Sequence, residues 1–156
     1  MTIIPSADTR QDLLTSIRFI FFAILTSLIF FAVISYFLIA PAIDKTDENL
    51  FTAFIFIVPL FSITMIFLAR FLIRKISGQN DNTIPVDQKL VKYRTTKIIS
   101  WAFIESAGLF NVVAYNLTKS TVFFIVFFVV IAAFFINKPS MSEFITLFGV
   151  DPNEKN

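Results

Sequence analysis

Four long stretches with almost no charged side chains constrain this sequence most. They cover Phe19–Ala40, Leu50–Ala69, Ile98–Leu117 and Thr121–Ile136, which contain 22, 20, 20 and 16 residues. An α-helix rises about 1.5 Å per residue, so about 20 apolar residues cross a hydrocarbon core roughly 30 Å thick. The fourth stretch reaches this length when Ser120 and Asn137 lie at the interfaces. The pattern therefore predicts an all-α fold, a bundle of four transmembrane helices with spans at about 19–40, 50–69, 98–117 and 120–137.

The basic residues are distributed unevenly between the segments that join these stretches. Segment 70–97 contains seven of them, Arg70, Arg74, Lys75, Lys89, Lys92, Arg94 and Lys97, and Arg10 and Arg18 precede the first stretch. The other two connections contain one each, Lys45 and Lys119. Basic residues are retained on the cytoplasmic side of a membrane. The sequence therefore predicts that both termini and loop 70–97 are cytoplasmic, in a bacterial inner (plasma) membrane.

A cleaved secretory signal is the alternative for the N-terminal stretch. Ala40-Pro41-Ala42 has the small-x-small form of a cleavage site. However, the preceding apolar run of 22 residues is longer than the apolar region of a signal peptide, which has about 7–15 residues. This length favours a transmembrane helix.

Loop 70–97 divides into two parts. Residues 77–82 are polar and rich in turn-forming types, whereas Pro85 followed by Val86–Lys97 has the pattern of a helix start. We expect this helix to continue without a break into the third span. Residues 1–137, including loop 70–97, are then the transmembrane domain.

The segment after the fourth stretch has the signals of a short helix. Ser140 and Glu143 have the spacing of a capping box, in which both side chains bond backbone N–H groups at a helix start. A helix from Met141 to Phe148 then ends at Gly149, with three apolar residues on one face, Phe144, Leu147 and Phe148. We expect residues 138–156 to form a cytoplasmic segment whose helix lies along the membrane interface, with a groove on a partner as the alternative.

Missing residue types exclude several functions. The chain contains no cysteine and no histidine, so it cannot ligate iron–sulfur clusters, cysteine-bound zinc or histidine-bound haem. No nucleophile and base, and no set of metal ligands, can be recognised, which argues against an enzyme. We expect no cofactor and no nucleic-acid partner. The expected partners are the lipid bilayer and a homo-oligomer or larger membrane complex.

Glu105 is the one charged side chain inside a predicted span, and it is the main candidate for binding an ion or a proton. As the eighth residue of the third span, it lies about 11 Å inside the cytoplasmic edge of the hydrocarbon. Ionisable groups at such depths are costly and commonly face a protein interior, a cavity or an ion route. Four residues on its side of the helix are candidates for packing or ligand contact, namely Trp101, Gly108, Tyr115 and Asn116.

Hydroxyl side chains in the first two spans lie at a similar depth. They are Thr26, Ser27, Ser62 and Thr64, and we expect them to form a polar layer with Glu105 that binds a proton or cation. The alternative is structural, because serine and threonine commonly bond to their own helix backbone and a buried carboxyl can hold two helices together. Pro59 removes a backbone hydrogen bond near the middle of the second span and predicts a kink there.

Two known groups are similar to parts of this sequence. Residues 98–110, in which Glu105 is followed by Ser106, Leu109 and Phe110, resemble the ion-carrying helix of rotary ATPase proteolipid subunits. That resemblance implies that Glu105 carries a proton or sodium ion. The longer set Arg94, Glu105-Ser106, Leu109-Phe110, 115–118 and 138–140 resembles a group of small bacterial four-helix membrane proteins. This second resemblance implies a class of protein and no particular activity.

These observations lead to two hypotheses of function. The first is a non-catalytic accessory or structural membrane component, held together by an aromatic-rich four-helix bundle. The second is a small carrier or channel component coupled to protons or cations through Glu105. The first predicts that Glu105→Gln leaves assembly and function nearly unchanged, whereas the second predicts that it abolishes transport while the protein still folds.

Overall fold

The computed structural model describes residues 7–39, 48–77 and 85–149, and these residues form helices and contain no β-strand. Helix α1 covers Ala7–Ile34 and continues as a π-helical segment, Ser35–Ile39. It is followed by α2 at Glu48–Ser77, α3 at Val86–Thr118, α4 at Val122–Ile136 and α5 at Met141–Phe148. The all-α fold class is confirmed.

Three of these helices are long and apolar enough to cross a membrane, over Thr15–Leu38, Asn49–Lys75 and Gln88–Thr118. Helix α4 has 15 residues, about 22 Å of helix, and forms a fourth candidate span only together with α5, at a bend of 68°. The sequence predicted four spans, and the structure has three or four helices of the required length and apolar character. Helix α4 ends at Asn137, as expected, where the side-chain amide donates to the carbonyl of Ala133 (2.7 Å), but it starts only at Val122 and not at residue 120.

Helix α3 begins directly after Pro85 and continues as one helix of 33 residues. The sequence predicted this uninterrupted helix. At its other end Lys119 has a left-handed backbone (φ 56°), and its N–H donates to the carbonyl of Tyr115 (2.7 Å). The chain therefore turns back into α4 after only three residues.

The central element of the fold is α3, which packs against α1, α2 and α4. Helix α1 runs parallel to α3, since Phe21 meets Trp101 (5.3 Å between ring centroids) and Tyr36 stacks on Tyr115 (6.0 Å). Helices α2 and α4 run antiparallel to it. Because α3 touches protein on several sides, it is the most deeply buried of the three candidate spans.

Large apolar side chains cover the outer surfaces of α1, α2 and α4. Among them, Phe19, Phe30, Phe56, Leu60 and Phe128 are each more than 60% exposed. Soluble monomers rarely expose apolar surface on this scale. This apolar surface is compatible with the hydrocarbon core of a membrane, because apolar side chains need no hydrogen-bond partner there.

Two regions of this fold are used below. The basic end is the end of the bundle where α2 ends and α3 begins, with Arg70, Arg74, Lys75, Lys92 and Arg94 at or near its surface. The open face of α3 is the side that the described helices leave uncovered, and its exposed residues are Gln88, Val91, Thr95, Ile99, Ala102, Val113 and Leu117. At about 100° per residue, these positions fall in one sector between the sides that contact α1 and α2.

Candidate functional site

Glu105 lies on α3 at the border between the side that contacts α1 and the open face, and its side chain is half-buried. Trp101 and Gly108, about one turn before and after it, face α1. Within the described ranges, no hydrogen bond or ion pair joins Glu105 to another residue. Glu105, the charged residue of the predicted third span, therefore has no polar partner among the described residues.

Three of the four hydroxyl residues predicted to surround Glu105 lie on the outside of the bundle. The register of the contacts between α1 and α3 places Thr26 and Ser27 near the level of Glu105, and both side chains are exposed. Thr64 is also exposed, and its hydroxyl donates to the carbonyl of Leu60 (2.8 Å). No hydrogen bond between described residues connects these three with Glu105. Their role in ion binding stays a prediction.

The fourth hydroxyl residue, Ser62, belongs to a different polar contact. Its hydroxyl donates to the carbonyl of Val58 (2.9 Å) and accepts a hydrogen bond from the side-chain amide of Asn111 on α3 (2.8 Å). The same amide nitrogen donates to the carbonyl of Ala107 (2.8 Å), and the amide oxygen Oδ1 of Asn111 is buried without a partner. This pair links α2 to α3 inside the bundle. Sequence reasoning missed Asn111, although an asparagine in an apolar span is itself a signal of a contact between helices.

Two of the predicted packing residues fix the contact between α3 and its neighbours. The Trp101 ring lies against Phe21, and its Nε1–H donates to the carbonyl of Asn137 at the end of α4 (3.0 Å). At Gly108, a Cβ atom would lie 2.9 Å from a methyl group of Leu28. The missing side chain of Gly108 therefore admits a buried leucine of α1 and leaves no space for a ligand there.

The other two, Tyr115 and Asn116, lie near the opposite end of α3, about 15 Å along the helix from Glu105. The Tyr115 ring stacks on Tyr36 of the π-helical segment and meets the edge of Phe124 (4.3 Å between centroids). Asn116 is buried, and its Oδ1 has no hydrogen-bond partner. These residues close the end of the bundle and do not form one site with Glu105.

A buried polar network joins α5 to the basic end of α3. The Lys97 ammonium group contacts both carboxylate oxygens of Glu143, at 2.8 and 2.6 Å, and also donates to the carbonyl of Asn137 (3.3 Å). The Tyr93 hydroxyl donates to the same carboxylate (2.8 Å) and accepts a hydrogen bond from the N–H of Ser140 (3.3 Å). The Lys97 side chain is 1% exposed and that of Glu143 is 30% exposed. We call this set the docking network.

The docking network corrects the interpretation of the C-terminal segment. The helix has the predicted bounds, and Gly149 ends it with a left-handed backbone (φ 64°). The capping box is wrong, because no side-chain bond caps the start of α5 and Glu143 pairs with Lys97 and Tyr93 instead. The apolar face of α5 is buried against α3, with Phe144 and Tyr93 in ring contact (5.5 Å between centroids). The groove that receives α5 thus belongs to the chain itself.

A small cavity adjoins the docking network. Its volume is about 10 Å³, and it is lined by Ile73, Tyr93, Thr96, Lys97, Leu147 and Phe148. A space of this size holds one water molecule. The surroundings of Lys97 are therefore a packed contact between α3 and α5, and they have no room for a substrate.

The chemistry available to this chain is narrow. The described residues contain no group of three or more histidine, cysteine, aspartate or glutamate side chains able to hold a metal ion. The side-chain contacts of Lys97, Trp101 and Asn111 hold helices together, and among the described residues in the middle of α3, Glu105 combines a titratable group with an accessible surface. Comparison with protein-family models, with curated proteins and with solved structures found no match for this chain.

Proposed function

We propose that this chain is an integral membrane protein of four spans with both termini cytoplasmic, and that it acts as a non-catalytic accessory or structural component. The observation that carries the proposal is the distribution of polar groups around α3. Lys97, Trp101 and Asn111 make polar contacts to neighbouring helices, whereas the carboxyl of Glu105, which has no polar partner among the described residues, lies at the border of the open face. An accessory or structural component functions by binding neighbouring proteins. It therefore needs a stable packed interior and an outer surface with a polar group that a neighbour can recognise.

The proposed topology is supported by the basic end. It collects the basic residues of the connection between α2 and α3, and positively charged connections stay in the cytoplasm. The apolar exterior of α1, α2 and α4 supports the membrane location.

A carrier or channel component that binds a proton or cation at Glu105 is the second candidate. One observation favours it: the carboxyl of Glu105 is half-buried in apolar surroundings and has no polar partner in residues 7–39, 48–77 and 85–149. The arrangement of the predicted supporting oxygens weighs against it, because Thr26 and Thr64 are exposed on the bundle surface. An ion at Glu105 would therefore approach from the open face and not along an interior path.

Proton and sodium flux into proteoliposomes distinguishes the two candidates. Wild type, Glu105→Gln, Thr64→Val and the control Thr146→Val, whose exposed hydroxyl bonds the carbonyl of Ser142 on α5, are compared at equal protein density, and we expect all four to match empty liposomes. Thr64→Val tests the predicted polar layer separately, because among the described residues the exposed Thr64 hydroxyl bonds its own helix, at the carbonyl of Leu60. Flux in wild type that is lost in Glu105→Gln would overturn the accessory role and establish a carrier, and its loss in Thr64→Val as well would assign the Thr64 hydroxyl to the ion path.

The topology has a separate test, which exploits the absence of cysteine from the chain. Single cysteines replace Gln88, near the start of α3, and Thr121, in the turn between α3 and α4. Both residues are exposed, and they lie at opposite ends of α3. A membrane-impermeant maleimide added to intact cells should label the cysteine at 121 and spare the one at 88 until the membrane is opened. The reverse pattern would refute the proposed orientation.

A further inference from the structure

Ser35, the first residue of the π-helical segment, has a buried hydroxyl group that makes no hydrogen bond. Its side chain is 0% exposed, and its Oγ has no partner among the described residues. The buried hydroxyls of Ser62, Thr96 and Thr118 behave differently, because each donates to the carbonyl four residues earlier in its own helix. A buried polar group without a partner costs free energy, so the exception at Ser35 requires a physical explanation.

Asn116 of α3 lies at the same level of the bundle as Ser35. The residues next to them in sequence, Tyr36 and Tyr115, stack with their ring centroids 6.0 Å apart. Asn116 is buried as well, and its Oδ1 accepts no hydrogen bond from the described residues. Two unpaired side-chain oxygens therefore occur within one helical turn of each other, on neighbouring helices.

Both side chains also lie on the same flank of the contact between α1 and α3. Measured from the contact of Leu28 with Gly108, Ser35 is rotated by about 20° around α1, and Asn116 by about 80° in the opposite sense around α3. Because the two helices are parallel, opposite rotations point to the same flank. The same geometry places the two tyrosines together on the other flank, where their rings do stack.

The two groups are chemically complementary, although they are not hydrogen-bonded to each other. The Ser35 hydroxyl has a proton to donate, and the amide oxygen of Asn116 has lone pairs that accept. Water both accepts and donates, and buried water commonly pairs with polar groups that the chain itself leaves unpaired. Both side chains are neutral, so they offer no countercharge to a cation.

We propose that one water molecule is bound between Ser35 and Asn116, where it accepts the hydroxyl proton of Ser35 and donates to Oδ1 of Asn116. Asn116 lies two residues before Thr118, at which α3 ends. Water therefore reaches this site from the end of the bundle without crossing the hydrocarbon core. The bound water joins the π-helical segment to α3, and this inference does not depend on the accessory role proposed above.

A structure of the wild-type protein in nanodiscs, at a resolution that shows ordered water, tests the site without any substitution. We expect a peak at hydrogen-bond distance, roughly 2.7–3.2 Å, from both Ser35 Oγ and Asn116 Oδ1. A direct hydrogen bond between the two side chains would overturn the proposal. Well-defined side chains with no peak between them would overturn it as well.

A double-mutant cycle tests whether the two side chains share one partner. Ser35→Ala and Asn116→Leu should each lower the folding equilibrium constant roughly fivefold in a reversible detergent titration, and the double variant should lower it no further than one of them. Ser106→Ala is the control, because its hydroxyl bonds the carbonyl of Phe103 and lies about 15 Å from Asn116 along α3. Its effect should add to that of Asn116→Leu. Additive effects of Ser35→Ala and Asn116→Leu would refute a shared water.

The same titration distinguishes water from a bound cation. Replacement of sodium and potassium chloride by choline chloride should leave the unfolding midpoint of the wild-type protein unchanged. A loss of stability in choline chloride that Asn116→Leu abolishes would show that a cation occupies the site, and the assignment of water would then be wrong.

Discussion

Replacing Glu143 with glutamine removes the countercharge of a buried lysine, and the structure allows the cost to be estimated. The Lys97 side chain is 1% exposed, and without Glu143 its strongest remaining contact is the Asn137 carbonyl at 3.3 Å. Removing one partner of a buried ion pair costs about 3–5 kcal/mol. Since glutamine still accepts a hydrogen bond, we expect a loss of about 3 kcal/mol. The equilibrium constant for release of α5 from α3 should then rise roughly a hundredfold.

The reciprocal substitution should cost much less, because the two partners differ in exposure. In Lys97→Met the Glu143 carboxylate keeps the Tyr93 hydrogen bond (2.8 Å) and is 30% exposed to solvent. The loss is then about 1 kcal/mol, roughly a fivefold effect on opening. The double variant Lys97→Met, Glu143→Gln should resemble Lys97→Met alone, because no unpaired buried charge remains.

Hydrogen exchange of the backbone amides in Met141–Phe148, followed by mass spectrometry in nanodiscs, measures this opening. Exchange should accelerate about a hundredfold in Glu143→Gln and about fivefold in Lys97→Met, while amides around Asn111 serve as an internal reference. Equal acceleration in the two single variants would refute the reasoning from unequal exposure. No acceleration in either would show that the phenylalanines of α5 hold it in place without help from charge.

Three further substitutions probe contacts elsewhere in the bundle. Ser62→Ala should destabilise the protein by about 1 kcal/mol in a reversible detergent unfolding titration, because Asn111 loses an interhelical bond, and Thr64→Ala should change nothing measurable. Gly108→Ala places a methyl group 2.9 Å from Leu28 and should cost about 1–2 kcal/mol, an effect that Leu28→Ala in the same chain abolishes. Tyr93→Phe should accelerate amide exchange in α5 roughly tenfold, since it deletes two hydrogen bonds of the docking network.

Local signals in the sequence were sufficient for the helices themselves. Pro85 predicted the start of α3, and Gly149 predicted the end of α5, because both residues act on the backbone within one turn. The charge-free stretches predicted four apolar helices, and three of them are long enough to cross a membrane, since this depends on composition alone. The fourth is shorter than expected because the turn that begins at Lys119 delays the start of α4 to Val122.

Contacts between distant residues were harder to predict. Glu143 was assigned to a capping box because the nearest backbone N–H groups are local, whereas its actual partners, Lys97 and Tyr93, are 46 and 50 residues away in sequence. The depth of Ser62 was informative, but its partner depended on which side of α2 faces α3. A helical wheel gives the faces of one helix and leaves open which neighbour each face meets.

The unequal lengths of α2 and α4 have a consequence for the surrounding bilayer. The charge-free part of α2, Leu50–Ala69, has 20 residues, about 30 Å of helix, which equals the thickness of a hydrocarbon core, whereas α4 provides 15 residues, about 22 Å. In a membrane, lipids beside α2 would meet a helix of matching length, whereas lipids beside α4 would have to compress. The bilayer would therefore be thinner on the α4 side of this protein than on the α2 side.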